Sequence, residues 1–600
     1  MRSCLSAPSR LRFCLRIRFS VPFFRGAAAV AAASLALGSD MLAGAAGSSA
    51  ARAADKPEVI AVVAVDPYAD LRSQLTWVGE QVGNPTLAGF AESFILLATQ
   101  GKGLAGLDVK RPIGIVITTE GGPLPTAHAF VPVKDLDKLL GAIQGMTGPV
   151  EEVDGVRRIS PPGAPPLELT EKNGWAILSQ PGSPAEIDDP LAVIEPLSND
   201  YSIVIEVFPS RMPEAMREQF RGLVDEAARN AEAQGQPMDD TAIRAGLEQL
   251  DQVEKLIFGV AIDTEKDDIH LDITSVLEAD AAALASFKDA GKSVSTIGSP
   301  ATADSRTAAL RGHYTVNVPA EGRVAVRAGI DQALEQADDD PTNRVFTNLI
   351  RDLVAAMIDT GAIDAGVTID TSSANKENPL PAITIGMKVK DGVALQNQVK
   401  ERLGKAGALP EQVKVAFDAG KEGQATLHEI TVDASDLPAA ERFGKELKVT
   451  LAVTPNYAYL LAGGDVKQRL AKALADGGKP VAEAGPFAGI DVSLAAVIDY
   501  AAKMATWFDA DDSQTEAIGE VAKQAAEKDS THVQFSVKPI DRGVTMRLSA
   551  DAGAIQTIAA GTALQPGVAP APRPMARPMV PVRPLPRRQP EPDDTPAIAP

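Results

Sequence analysis

Two stretches of this chain, offset by 256 residues, place the same residue types at the same positions. Ala129, Val131 and Val133 match Ile385, Met387 and Val389. Leu139 and Ile143 match Leu395 and Val399, and Lys134-Asp135 recurs as Lys390-Asp391. Each stretch reads as an alternating strand, the tripeptide Val-Lys-Asp, and a helix with apolar residues at helical spacing. An aspartate placed between such a strand and such a helix is an N-cap. Alternation also fixes which strand face is buried, because a slip of one residue turns the apolar set to solvent. Both stretches must therefore offer the same face to the helix that follows. The expectation is an α+β fold built twice on one plan.

The rest of the chain extends this plan. Four segments each begin with a strand (Val59–Val65, Tyr201–Phe208, Leu310–Val318, and one near Ala488). Each continues through one or two helices, forms a β-hairpin and closes with a helix. The hairpins pair Ile113–Thr118 with Ala127–Val133, Leu256–Asp263 with Ile269–Val276, Gly366–Thr371 with Ala382–Val389, and His532–Lys538 with Gly543–Ala550. The first and third segments carry an extra meander. Within it, Asn173-Gly174-Trp175-Ala176-Ile177-Leu178 resembles Asn456-Tyr457-Ala458-Tyr459-Leu460-Leu461. The expected fold class is α+β, with mainly antiparallel sheets, helices on one face and an internal duplication of a long plus a short unit. Four sheets, each with one covered face, follow from the alternation Ile383, Ile385, Met387, Val389 against Thr384, Gly386, Lys388. The expected units are 54–300 (long 55–197, short 198–300) and 305–562 (long 305–483, short 484–562).

Both ends read differently. In residues 1–53, Arg2, Arg10, Arg12, Arg16, Arg18 and Arg25 precede an apolar stretch from Gly26 to Gly38, and Ala51-Arg52-Ala53 fits a small-x-small cleavage site. A signal peptide is expected, cleaved near Ala53, and with it an extracytoplasmic protein, periplasmic or secreted. The apolar stretch is too short to span a bilayer, and no later run reaches the required length, so no membrane span is expected in the mature chain. Both cysteines, Cys4 and Cys14, lie in that segment, which leaves the mature chain without disulfides or thiolate metal sites. Residues 566–600 hold twelve prolines interleaved with Arg573, Arg577, Arg583, Arg587 and Arg588. Proline removes amide donors and fixes φ, so a disordered Pro/Arg-rich tail is expected.

Charge narrows the function classes. The chain has 58 basic and 79 acidic residues. Setting aside the seven arginines and one aspartate of residues 1–53 leaves −27, and setting aside the five arginines and three acids of the tail leaves a body of −29. Such a body repels nucleic-acid backbones and anionic headgroups. With aromatics at 4 % it also offers little to stack bases on.

Motifs for catalysis are sparse. The five histidines, His128, His270, His313, His428 and His532, each fall in or beside an expected strand. None forms an HExxH or an i, i+4 pair. No Gly-x-Ser-x-Gly elbow occurs. Gly291-Lys292-Ser293 resembles the end of a phosphate loop, but Ser286 stands where its first glycine belongs, and a helix precedes it. Asp509, Asp511, Ser513 and Glu520 fall at calcium-loop positions 1, 3, 5 and 12, yet Gln514 replaces the glycine of the sharp turn. These residues read better as a helix start capped from Asp511 to Ser513. Asp338-Asp339-Asp340-Pro341 reads as a solvated turn. Trp77, Trp175 and Trp507 read as core or interface. No catalytic, cofactor-binding or metal-binding residue is assigned, and no cofactor is expected.

The recurring unit, marked by Val133-Lys134-Asp135 and Val389-Lys390-Asp391, resembles large exported bacterial proteins grouped as domains of unknown function. The resemblance spans about 58–562. It implies an extracytoplasmic α+β repeat protein and supplies no catalytic residue. The leading expectation is a non-enzymatic exported protein that binds a protein, an envelope polymer or an apolar ligand. A cell-envelope hydrolase with a site assembled only in three dimensions is the alternative, and a structural envelope component the third. A pocket of convergent perturbed carboxylates would favour the hydrolase. An apolar tunnel would favour a carrier.

Overall fold

The computed structural model describes residues 58–563 except 120–124, most of 219–251, 282–293, 298–307, most of 319–340, 406–408, 436–442, 480–485, 509–511 and a few single positions. The expected signal peptide, the Pro/Arg-rich residues 566–600, Gly291-Lys292-Ser293 and Asp338–Asp340 lie outside the described residues. So do Asp509, Asp511 and most of the helix expected after Ser210.

The first ten strands are β1 Glu58–Val65, β2 Ile113–Thr119, β3 Pro125–Pro132, β4 Val150–Val153, β5 Val156–Ile159, β6 Leu167–Lys172, β7 Trp175–Ser179, β8 Ile203–Val207, β9 Val253–Asp263 and β10 Asp268–Leu277. The second ten are β11 Ala308–Asn317, β12 Ala362–Asp370, β13 Ala382–Lys388, β14 Val413–Glu422, β15 Ala425–Asp433, β16 Glu446–Val453, β17 Tyr457–Ala462, β18 Ala488–Ser493, β19 His532–Ile540 and β20 Gly543–Asp551. The helices are α1 Tyr68–Gln81, α2 Leu87–Ala98, α3 Leu136–Thr147, α4 Pro190–Ser198, α5 Pro341–Ile358, α6 Gly392–Leu403, α7 Val466–Asp476, α8 Leu494–Trp507, α9 Asp512–Ala526 and α10 Ala552–Ala563.

The fold is α+β and antiparallel, as expected, but the four expected sheets are one sheet of twenty strands. Its pairings run β4-β5-β6-β7-β3-β2-β1-β8-β9-β10, cross to β20, and continue β19-β18-β11-β12-β13-β17-β16-β15-β14. Read outward from the β10–β20 seam, residues 58–277 and 308–551 order their ten strands alike. The seam is a ladder from Asp268↔Asp551 to Val276↔Gly543.

The tripeptide repeat has the same local role in both places. The amide of Val133 donates to Gly174 O and that of Val389 to Asn456 O, each closing the ladder at the end of its strand. Asp135 then accepts from Lys138 N, and Asp391 from Ala394 N, each at 3.0 Å, capping α3 and α6. These bonds also correct the meander match: Gly174 corresponds to Asn456, one residue away from the pairing that the side chains suggest. The first meander has a strand the sequence did not reveal, β4, because Val-Glu-Glu-Val carries no alternation and lies exposed at the sheet edge. Strand β14 runs to Glu422 rather than Phe417, with a register shift between Ala416 and Gly420. The helix after Asp391 buries Leu395, Val399 and Leu403, while Val393 is 60 % exposed.

Helices cover both faces of the sheet, not one. On α4, Ile194 packs with Val62, Ala64, Val116, Phe130 and Val204. On α3, Leu136, Leu139 and Leu140 pack with Ala176 and Val131, which point to the opposite side from Phe130. The second half repeats the split. Leu470 and Ala473 of α7 meet Tyr459 and Leu461, whereas α5 and α6 meet Met387, Val389 and Ala458. Strand alternation shows that two faces differ; it does not show that the more polar one is open to water.

Candidate functional site

Following the cross-strand pairs shows what the two faces are made of. One row reads Leu178, Ala129, Ile115, Val63, Ile205, Phe258, Ile273, Met546, Val537, Ala488, Tyr314, Ala365, Met387, Ala458. It crosses fourteen strands, roughly 60 Å at about 4.8 Å per strand, without one charged residue. A parallel row from Ile113 through Ile203, Leu271, Phe535 and Ile490 to Leu460 is equally apolar. This is the aliphatic face. The row behind it contains Gly114, Gly259, Gly489, Gly366 and Gly386, and has Asp272 paired with Arg547 at the seam. On this glycine face, bulky side chains lie flat where a Cβ would collide. A Cβ on Gly114 would sit 2.3 Å from Ile194, and one on Gly259 would sit 2.3 Å from the Tyr201 ring.

Burial runs against polarity on the central strands. On β10, His270, Asp272 and Thr274 are buried while Ile269, Leu271 and Ile273 are only half-buried. On β12, Asp364, Gly366 and Thr368 are buried while Ala365, Val367 and Ile369 are half-buried. On β2, Thr118 is buried and Ile113, Ile115 and Ile117 are not. The hydrophobic effect drives the opposite arrangement, so a contiguous, half-open apolar surface is the informative departure.

In the second half the surface forms a cleft of about 690 Å³ floored by β11, β12, β13, β18, β19 and β20. Tyr314, Val367, Ile385, Ile490, Phe535 and Met546 line it, with Tyr314 41 % and Ile490 46 % exposed. Among the described residues it contains no charged side chain, and Tyr314 is its polar one; His313 borders it by its backbone, its ring lying over Gly489 on the glycine face. His313 Nε2 is 2.9 Å from Pro486 O, and Tyr314 stands edge-on to Phe487 with ring centres 6.3 Å apart. The volume lies within the usual range for a small-molecule site.

A second, polar cleft of about 750 Å³ lies on the glycine face at the seam. Arg547 donates to both carboxylate oxygens of Asp272, at 2.8 and 2.7 Å, and the Tyr201 hydroxyl donates to Oδ2 at 3.1 Å. Burial and the adjacent Asp272 charge push the Tyr201 phenol up to about 12. Burial also raises the Asp66 carboxyl, which accepts from Gln74 at 2.7 Å. Asp263 is held low by the hydrogen bond from Lys266. Asp272 and Asp263 are thus committed to ion pairs.

The histidines do not converge. His128 Nδ1 lies 2.9 Å from Ser179 Oγ in a buried site. His428 is buried against the edge of Phe417 and accepts from the Asp418 amide, and burial lowers its pKa. His270 lies 3.3 Å from Asp268. No group of three metal-ligating side chains occurs among the described residues. Trp175 is core, edge-on to Phe130 and beneath the Arg111 guanidinium. Trp77 donates to Asp267 at 3.1 Å, and Trp507 stands edge-on to Tyr500. Ser513 and Glu520 lie inside α9, so they do not form a calcium loop.

One histidine makes stability depend on pH. His532 Nδ1 lies 2.6 Å from Asp491 Oδ1, Arg311 holds the other carboxylate oxygen, and the His532 amide donates to Asp551. The Asp491 hydrogen bond raises the His532 pKa against the opposing effect of burial, with Asp551 adding to the rise and Arg311 opposing it. Burial alone would raise Asp491, but His532 and Arg311 bring it below its ordinary value. A histidine raised on folding stabilises fully below its unfolded pKa of 6.5, and that contribution is lost as pH rises through the folded value. The Asp491 contribution is lost as pH falls through its lowered value, well below that window. Thermal melts at pH 6 and pH 8 should therefore show a larger loss for the wild type than for His532→Gln. Equal losses would mean that the pair does not titrate in that window.

No protein-family model, curated protein or solved structure matches this chain. No helix among the described residues is long and apolar enough to cross a membrane, which leaves strand-built spans unaddressed.

Proposed function

We propose that the protein is an exported, non-enzymatic binder of an elongated apolar ligand, such as an acyl chain, held against the aliphatic face. The observation that carries this is the inverted burial: unbroken aliphatic rows left half-open, with a cleft free of charged lining residues, while polar residues behind them are buried. Burying such a surface stabilises a complex by roughly 25 cal/mol per Å² before ordering costs. The hydrolase alternative has less support, since Asp272 and Asp263 of the polar cleft are occupied by Arg547 and Lys266, and Asp66 accepts from Gln74. The matching strand orders on either side of the seam support a duplicated architecture. The arginine-rich, then apolar start and the proline-rich end support export and a disordered tail.

Binding is tested with a fluorescent fatty-acid analogue. Ala488→Trp fills the cleft, and Ile490→Glu puts a charge on its floor; each should weaken binding about tenfold or more. Wild-type affinity in Ile490→Glu, with an unchanged melt, would remove the cleft as the site. Export is tested separately, by N-terminal sequencing of the protein recovered outside the cytoplasm. A start near Ala54 is expected, and a full-length cytoplasmic product would overturn it.

A further inference from the structure

Helix α2 shows a second departure from ordinary burial, away from the cleft. Its sequence, Leu-Ala-Gly-Phe-Ala-Glu-Ser-Phe-Ile-Leu-Leu-Ala, is apolar nearly all round, which in a globular protein marks a helix for the core. Yet its only fully buried residue is Ala88. Phe90, Phe94 and Leu97 are 75 %, 64 % and 79 % exposed, and their i, i+4, i+7 spacing puts them on one face, flanked by Leu96. The one charge on the helix, Glu92, is paired with Arg72 of α1.

We propose that α2 docks the protein on a neutral lipid surface. At their stated exposures the three side chains present roughly 400 Å², taking about 200 Å² for each aromatic-sized group. A stable protein–protein interface needs about 800 Å² per partner, so the stripe is too small for a second copy to hold. Two copies, each carrying −21, also repel one another. A lipid surface needs only a few large apolar side chains inserted to headgroup depth. The same negative charge selects against anionic headgroups, so an uncharged or zwitterionic surface is the partner. The helix face, not the cleft, carries this proposal, and the two fail independently.

The experiment floats the full chain with phosphatidylcholine vesicles, beside a Phe90→Ser/Phe94→Ser/Leu97→Ser variant of the same length. Any contribution from residues 1–53 is then equal in both. The wild type should float, and the variant should partition at least tenfold less while still binding the fatty-acid analogue. Equal flotation of the two proteins overturns the proposal, and so does a wild type that stays at the bottom. Tighter binding to phosphatidylglycerol vesicles overturns the choice of a neutral surface. A dimer in lipid-free solution that the triple variant abolishes would make a second copy the occupant. Should the triple variant unfold, Phe94→Trp supplies the reading: brominated phosphatidylcholine should quench the added fluorescence, and no quenching beyond that of the wild type overturns the proposal.

Discussion

An Arg547→Met variant should lose about 3 kcal/mol of stability, the low end of the range for removing one partner of a buried ion pair. The Asp272 side chain is 2 % exposed and keeps its charge by accepting two bonds from Arg547 and one from Tyr201. Without the guanidinium that charge faces the seam with the phenol alone. Arg547 is itself 46 % exposed, and water entering beside the variant offsets part of the loss, which is why the low end applies. Removing the whole network should cost far less, because apolar groups of similar size need no partner. Urea unfolding of Arg547→Met and of Tyr201→Phe/Asp272→Leu/Arg547→Met separates the two cases. If the triple variant is no more stable than the single one, the cost comes from lost packing and not from the stranded carboxylate.

Asp364→Ala should cost a similar amount, about 3 kcal/mol, by stranding several donors around one buried carboxylate. Asp364 is 2 % exposed and accepts from Ser295 Oγ at 2.7 Å, Thr296 N at 2.8 Å, Thr296 Oγ1 at 3.0 Å and Thr315 Oγ1 at 3.3 Å. Three of these bonds fasten the segment at residues 294–297, between the two strand sets, onto β12. The Tyr457 hydroxyl adds a contact to Thr296. The variant should therefore show faster amide exchange at 294–297 as well as a lower melt, whereas Thr315→Val should lower the melt by less and leave that exchange unchanged. Unchanged exchange in Asp364→Ala would show that the segment is held by Ile297 and its neighbours instead.

The elements were legible where side-chain period and capping agree. Ile383, Ile385 and Met387 mark β13, and Asp135 and Asp391 mark the starts of α3 and α6, because those signals act within a few residues. The joining of four hairpin groups into one sheet was not legible. The pairing Asp268↔Asp551 joins residues nearly half the chain apart, and nothing local to Ile269, Leu271 and Ile273 names β20 as the partner. The helices on the glycine face were missed for a related reason. Thr384, Gly386 and Thr368 read as solvent-facing, yet they are buried. The aliphatic rows were visible strand by strand, but alternation cannot say that their cover is incomplete, which depends on the distance between layers. The carboxylate at Asp364 gave no signal, since its donors lie between 49 and 69 residues earlier.

The seam also imposes a timetable. Strand β10 is complete at Leu277, but its partner β20 ends only at Asp551. At about 5–20 residues per second, a chain still being synthesised would pair β10 with β9 but leave its other edge open for roughly 15 to 55 seconds. For that interval its unpaired amides and carbonyls flank Ile269, Leu271 and Ile273, the kind of edge that recruits other strands. Transport of the chain unfolded would let both strands meet only after the last of them has arrived.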